Sequence, residues 1–308
     1  MMGRFLLNRF FQAMIVLVGA SGIAFFILRV IPGDPATLML PENATEEEVN
    51  QMRESMGLNL PLWTQYIVYF KQMLVLDFGD SLNRGLPSMQ LIVDHLPATA
   101  ILVFWAMVIA IVIAIPLGML AAVKKNSLSD YAVSILAMLG QSVPSYWLGM
   151  MLILLVAVRW DLLPTSGFGS WSHLVLPAFT LAVYQLALIA RLMRSSMLDV
   201  MHNDYVRTAR AKGLPERIVL FKHVFKNALI PTITMIGLQT GQLLGGAIIT
   251  EYIFSWPGLG FLTVQSIQFR DYPMIQSLVI ISALVFVIIN LIVDILYAVI
   301  DRRIVVDS

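Results

Sequence analysis

The residues of this chain that could do chemistry are few, and their types set what that chemistry is. Cysteine is absent, which removes disulfides, thiolate metal sites and a nucleophilic cysteine together. His95, His173, His202 and His223 fall at no metal-ligand spacing, so no metal site is expected. No G-x-x-x-x-G-K-S/T run is present to cradle a nucleotide phosphate. Three constellations remain. The first is a basic island between Arg194 and Asn227, SSMLDVMHNDYVRTARAKGLPERIVLFKHVFKN, set between long apolar stretches. The second is a pair of opposite charges, Arg191 and Asp294, in or beside apolar segments. The third is the four-residue repeat Gly237, Gly241 and Gly245, with Gln239 and Gln242 off its stripe. These are means of docking, charge pairing, close packing and lining a polar path. The chain is therefore read as non-enzymatic, with no cofactor of its own.

Composition dictates the elements that hold these residues. The chain is 58% apolar and 13% charged, against ~25% charged in a soluble domain, so it is an integral membrane protein. A crossing helix needs ~20 apolar residues. Six segments are predicted to cross, at about 10–28, 98–123, 131–158, 174–190, 228–250 and 274–300, giving an all-α polytopic fold. The third carries no charge and either tilts or breaks at Pro144; the fourth is the shortest, bounded by Arg191. The first is read as a retained helix rather than a cleaved signal, because it runs straight into Arg29 and the PGDPA turn at 32–36. Fourteen of the 20 Lys and Arg fall on one face: Arg4, Arg9, Lys124, Lys125, the cations from Arg191 to Lys226, Arg302 and Arg303. That bias places this face and both termini in the cytoplasm, and the segment of about 32–97 outside.

The outer segment reads as folded. Thr45-Glu46-Glu47-Glu48 has the reciprocal capping pattern and Gly57 the left-handed stop of a short helix over about 45–56. A second helix starts near Pro61 and carries Trp63, Ile67, Phe70 and Leu74 at helical spacing, either as a lid on its own domain or as a face for the membrane or a neighbouring chain.

Inside the island, Asp204 is a candidate N-cap for YVRTARAK, Gly213 its C-cap, and Pro215 a restart point where a missing N–H costs nothing. Lys and Arg alone would hold the loop inside; a capped helix, a glycine stop and a proline restart imply a surface shaped for a partner. The glycine repeat lets a neighbouring helix approach closely, within the subunit, at a partner interface or along the pathway. Gln239 and Gln242 are candidates for a polar pathway wall. Asp294 and Arg191 are read as a structural intramembrane pair, with proton relay the sharper alternative. Glu251 is read as an interface residue at the outer end of the fifth helix.

The island, with DYVRTARAKG followed by KHVFKNALIP, resembles the signature loop of type I ABC importer permeases of the dipeptide, oligopeptide, glutathione and nickel class. ILRVIPGDPA at 27–36, DFGDS at 77–81, LPATA at 96–100, IPLGMLAA at 115–122, SVPSYWLG at 142–149, LLPTSG at 162–167 and FSWPGLGFL at 254–262 extend the resemblance over nearly the whole chain. One departure is clear: where the general pattern begins Glu-Ala-Ala, this chain has Arg207, Thr208 and Ala209. The resemblance implies a single transmembrane permease domain over 1–308, with a coupling loop at about 194–228 contributing Asp204, Tyr205, Arg207, Thr208, Ala209, Ala211, Lys212 and Gly213. It implies a second homologous permease, two cytoplasmic ATPase subunits carrying ATP and Mg, an external substrate-binding protein, membrane lipid around the helices and no nucleic acid. It also implies residence in the inner membrane. An ion-gradient-driven secondary transporter is the alternative, favoured by inverted repeats and midplane ionisable groups, of which this chain has one isolated carboxylate.

The charge bias yields a topology test. A reporter fused at Leu60 is expected outside, and reporters at Asn126, Lys212 and Val306 in the cytoplasm; a cytoplasmic signal at Leu60 would overturn the assignment of the outer segment.

Overall fold

The computed structural model describes residues 2–30, 35–38, 40, 44–55 and 57–300; the side chains of 2–8, 10, 27–30, 35, 38, 55, 245, 246 and 294–300 fall outside that description. Among the described residues every regular element is a helix, apart from one isolated antiparallel bridge between Asp80 and Pro87. The order is α1 Met2–Val30, α2 Pro35–Leu38, α3 Glu46–Ser55, α4 Leu62–Leu74, α5 Ser88–Val123, α6 Leu128–Ser142 and α7 Ser145–Leu152, prolonged by a π-helical stretch Ile153–Arg159. Then come α8 Trp171–Met201, α9 Asp204–Ala211, α10 Glu216–Ile218 with a second π-helical stretch Val219–Phe225, α11 Lys226–Gly246, α12 Ile248–Ile253, α13 Leu259–Gln268 and α14 Tyr272–Ile300.

Each of the six predicted segments coincides with helix, yet length and apolarity alone qualify fewer. α5, α8 and Tyr272–Val293 of α14 are long and apolar enough to cross a bilayer; α6 with α7, bent by 101°, makes a fourth if the pair is one broken span. The apolar part of α1, Phe11–Phe26, is shorter. The bend falls where the sequence put it. Val143 is extended (φ −81, ψ 122), as a residue before proline prefers, and Pro144 has no N–H to continue α6. The boundary at Arg191 differs: α8 runs on to Met201. A charge ends an apolar run, whereas a helix ends where its hydrogen bonds do. Of the turn predicted at 32–36, residues 32–34 lie outside the described residues.

The chain divides into two compact units. One comprises Ala98–Pro257 with the chain from Ile288 onward. In it α8 packs on α6, α7 and α11. Ala98, Leu102, Ala106, Ala110 and Ala114 recur every four residues on α5, all buried, in one cluster with Leu174, Ala178, Leu181, Ala182, Ile189 and Ala190 of α8. Lipid gives no hydrophobic reward for helix association, so such small residues stabilise it by letting backbones come close. Gly118 marks the closest approach: a Cβ there would lie 2.6 Å from the Ala190 carbonyl oxygen and 2.8 Å from Met193 Cβ. Glu251, predicted to face an interface, is instead fully buried within this unit and accepts a hydrogen bond from the Thr99 hydroxyl at 2.7 Å. Trp256 similarly donates its indole N–H to the Ala98 carbonyl at 2.8 Å. Both bonds satisfy polar groups that would be costly alone in an apolar interior.

The other unit comprises Met2–Pro97 and Gly258–Val287. Thr45 and Glu48 cap α3 reciprocally: Glu48 Oε2 accepts from the Thr45 N–H at 2.8 Å, and Thr45 Oγ1 from the Glu48 N–H at 3.3 Å. The Thr45 N–H, and the Thr45 hydroxyl at 3.0 Å, donate to the Glu48 carboxylate and hold it below its ordinary value. Gly57 (φ 65) closes the helix, its N–H on the Glu54 carbonyl and that of Leu58 on Arg53. α4 seats Tyr66 and Tyr69 against the fully buried Phe25 of α1, and Tyr66 bonds Ser21 at 2.9 Å. Its other face leaves Trp63 74% exposed, with Ile67 and Leu74 also outward. The loop at 77–88 is stapled by Asp271, which accepts from the Ser81 hydroxyl at 2.5 Å and the Asn83 N–H at 3.3 Å while capping α14 through the Met274 N–H. Leu91, Ile92, Leu259, Leu262, Met274, Leu278 and Ile281 form the core beneath it.

Crowding at Gly118 predicts a selective cost. Gly118→Ala should destabilise by about 1–3 kcal/mol, because the methyl meets backbone rather than a flexible side chain. Gly19→Ala, with nothing within 4 Å of its Cβ, should be neutral or stabilising by up to ~1 kcal/mol through helix propensity. Thermal midpoints of the purified protein in detergent check both.

Candidate functional site

The basic island folds as an elbow. α9 begins at Asp204 with Asn203 preceding it, one residue earlier than a cap at Asp204 implies, and Asn203 makes no side-chain cap bond. Its carbonyl accepts from the N–H groups of Val206 and Arg207. The helix ends in a paired glycine stop: the Gly213 N–H meets the Arg210 carbonyl at 2.9 Å, the Leu214 N–H meets Ala209 at 3.4 Å, and Gly213 holds φ 74. Pro215 follows and α10 restarts at Glu216. Across the bend, Arg210 grips Glu216 through Nε at 3.2 Å and Nη2 at 2.8 Å. The guanidinium holds the Glu216 carboxyl below its usual value, so the clasp is complete above the ordinary carboxylate range and is lost only as pH falls through the lowered value. Both partners are exposed, which limits it to ~0–1 kcal/mol.

What seats the elbow is apolar. Val206 and Ala209 of α9 are buried with Met193 and Met197 of α8, Val219 and Val224 of the second π-helical stretch, Ala122 and Ala228. The expected coupling residues therefore divide. Asp204, Tyr205, Arg207, Thr208, Ala211, Lys212 and Gly213 face outward, and Ala209 faces the core. Ala209 anchors the helix and is not part of its outer face, because positions 206 and 209 share the inward stripe of an eight-residue helix. Thr208 turns its hydroxyl back onto the Asp204 carbonyl at 2.9 Å.

The predicted pair of Arg191 with Asp294 lies in part outside the described residues. Arg191 donates Nη2 to Gln141 Oε1, and the side chain of Asp294 lies outside the described residues. The described ion pair of α8 is Arg194 with Asp130: Nε to Oδ1 at 2.5 Å and Nη2 to Oδ2 at 2.8 Å, with the Asp130 side chain 3% exposed. Asp130 also accepts from the Asn126 N–H at 2.9 Å, and Ser127 caps α6 by accepting from the Asp130 N–H. The Ser127-to-Asp130 spacing is a capping signature readable in the sequence, and it marks Asp130 as ordered.

Of the pathway candidates, Gly237 and Gly241 pack within the subunit. A Cβ on Gly237 would collide with Val293 Cγ1, and one on Gly241 would touch Asn290 and Ile289 at 3.6 Å. Gly245 has no described surroundings. Gln239 is buried and donates to Met235 Sδ at 3.6 Å. Gln242 lines a cavity of about 390 Å³ at the α6–α7 break.

The ion pair predicts asymmetric costs. Asp130→Leu should lower stability by about 2–4 kcal/mol, because a partly buried guanidinium loses its partner, whereas Asp130→Leu with Arg194→Met should recover part of the loss. Thermal midpoints of the single and double variants measure it.

Over residues 114–306 the sequence matches the family described as binding-protein-dependent transport system inner membrane component, and over residues 2–103 that described as binding-protein-dependent transport system membrane component, N-terminal. The dipeptide transport system permease protein DppB of Alkalihalophilus pseudofirmus is 42% identical, covering 94% of this chain and 95% of its own length. The oligopeptide transport system permease protein AppB of Bacillus subtilis is 41% identical (98% and 99%), and the glutathione transport system permease protein GsiC of Escherichia coli 41% (92% and 93%). Among solved structures, an inward-facing MetNI methionine ABC transporter superposes with TM-score 0.59 at 21% identity, covering 70% of this chain and 98% of the other. An amino acid ABC transporter does so with 0.54 at 17% identity, covering 70% and 94%. These two likenesses bear on the fold.

Proposed function

Because the chain belongs to the family of binding-protein-dependent transport system inner membrane components, we propose that it is the transmembrane subunit of an ATP-driven importer and forms the pathway for peptides or peptide-like solutes. The observation that carries the mechanism is the elbow: a short helix whose outer face is polar and basic, seated by Val206 and Ala209 on α8. Tyr205, Arg207, Thr208, Ala211 and Lys212 dock in a groove of an ATPase subunit, and Gly213 fixes the angle at which they are offered. ATP binding and hydrolysis belong to two such cytoplasmic subunits. A second homologous permease completes the pathway, an external binding protein delivers the solute, six spans cross the inner membrane, and both termini are cytoplasmic.

Coupling then needs no special device. Closure of the ATPase pair favours one state of the permease, and that preference enters through α9 and passes to α8 because their side chains share one packed cluster. Relatives named as dipeptide, oligopeptide and glutathione permeases support this over an ion-gradient transporter.

The test isolates the elbow's backbone. Gly213 has open space around its Cβ but φ 74, so a β-branched side chain is strained there by conformation alone, ~1–2 kcal/mol. Gly213→Val should cut receptor-stimulated ATP hydrolysis and uptake roughly tenfold in the reconstituted complex, since 1.4 kcal/mol is a factor of ten. Gly213→Asn, which tolerates the left-handed region, should retain most of both. Full coupling in the Val variant would remove this glycine from the transmission path.

A further inference from the structure

α4 is apolar on both of its faces. On one, Tyr66 and Tyr69 rest on the fully buried Phe25 of α1, ring centroids 5.2 and 5.7 Å away, and Met73 is buried one turn further on. The opposite arc, continued by the residue that ends the helix, carries Trp63, Ile67, Val68, Leu74 and Val75, all exposed. Only Thr64, Lys71 and Gln72 interrupt it, and the helix contains no Asp or Glu. A helix apolar all round belongs in a core or a membrane, and a bare patch of this kind marks a surface that is covered in use.

The contact with α1 sets the depth of this face. The first span is predicted over about 10–28, and from residue 28 back to Ser21, which bonds Tyr66 at 2.9 Å, is roughly 10 Å of helix at 1.5 Å per residue. α4 thus lies beside the last stretch of the span rather than beyond it, at the depth of interfacial helices, ~5–10 Å into the headgroup and acyl boundary. Phe26 of α1 is exposed and stacks on Tyr66 at 6.4 Å, so bare apolar surface passes from one helix to the other. A soluble receptor does not reach a face at that depth. A second membrane subunit would pack there through small residues, as α5 does on α8, and α4 has no Gly, Ala or Ser. Lipid is the occupant that fits. Tryptophan concentrates at the membrane boundary, and the Lys71 stem can carry its ammonium out to the phosphates.

We propose that α4 is an interfacial helix whose outward face, Trp63, Ile67, Val68, Leu74 and Val75, is immersed in the outer leaflet and takes lipid as its partner. The proposal rests on the topology above, in which the first span crosses the membrane and the segment of about 32–97 is outside. α3 and the loop at 77–88 flank α4 in the chain, so its immersion fixes how far both stand from the bilayer.

The chain has no cysteine, so single spin labels can be placed through Ile67→Cys and Val68→Cys, both at exposed positions, with Glu47→Cys on α3 as the water-exposed reference. The full complex is reconstituted in vesicles of phosphatidylcholine and phosphatidylglycerol, and the signal of complex without the added cysteine is subtracted. Collisions of each label with oxygen and with a water-soluble nickel chelate are then measured. Both α4 labels should favour oxygen and read ~5–10 Å below the lipid boundary, while the Glu47 label favours the chelate. Chelate contact at position 67 or 68 equal to that at 47 would place the face in water, and loss of contact with both reagents would show that protein covers it. Either result overturns the proposal. The reporter at Leu60 reads the topology independently: an outside signal with water-facing or protein-covered labels overturns the lipid site alone, and a cytoplasmic signal overturns site and topology together.

Discussion

Everything in the larger unit depends on how closely α8 is approached. Lipid tails are as apolar as the side chains they would be exchanged for, so helix association there relies on van der Waals contact and hydrogen bonding. The chain supplies the contact with small residues. The alanine series on α5, Gly118 against Ala190 and Gly140 against Ala187 bring backbones to distances that a larger side chain would block. Polar bonds then fix the register where packing alone is smooth: Asp130 with Arg194, Gln141 with Arg191, Thr99 with Glu251 and Trp256 with Ala98.

α8 is also the element shared by the two candidate surfaces. Thr180 and Gln185 line the cavity at the break, and Met193 and Met197 seat the elbow. From Gln185 to Met197 is 12 residues of unbroken helix, about 18 Å at 1.5 Å per residue. A rigid rod of that length needs no chain of side-chain rearrangements to relate one end to the other. The break at Pro144 lies on the neighbouring helix pair, so an irregular backbone borders the cavity while α8 stays continuous.

Local features were legible in the sequence and distant pairings were not. The Thr45–Glu48 capping box, the left-handed Gly57 and Gly213, and the break at Pro144 each follow from a few adjacent residues, whose backbone needs are the same in any tertiary setting. The inner packing of Gly237 was open from sequence and became specific only with Val293 beside it. Arg191 meets Gln141, 50 residues away, and Arg194 meets Asp130, 64 away, and neither pairing was named from the sequence. Choosing among distant partners requires knowing which helix faces which, and periodicity does not carry that. Most fragments that carried the family resemblance sit at turns and polar staples, DFGDS in the loop held by Asp271 and SVPSYWLG at the break, where few residue types satisfy the backbone.

The staple between Ser81 and Asp271 spans 190 residues. A ribosome adding about 5–20 residues per second takes roughly 10–40 s to cover that interval. Throughout that time the loop at 77–88 has been made but lacks the carboxylate that closes it, and Glu251 and Trp256, the partners of Thr99 and Ala98, are missing for almost as long. The early part of the polypeptide thus waits, unfinished, for its last helices. A chain stopped short of Asp271 would leave the Ser81 hydroxyl and the Asn83 N–H without this acceptor.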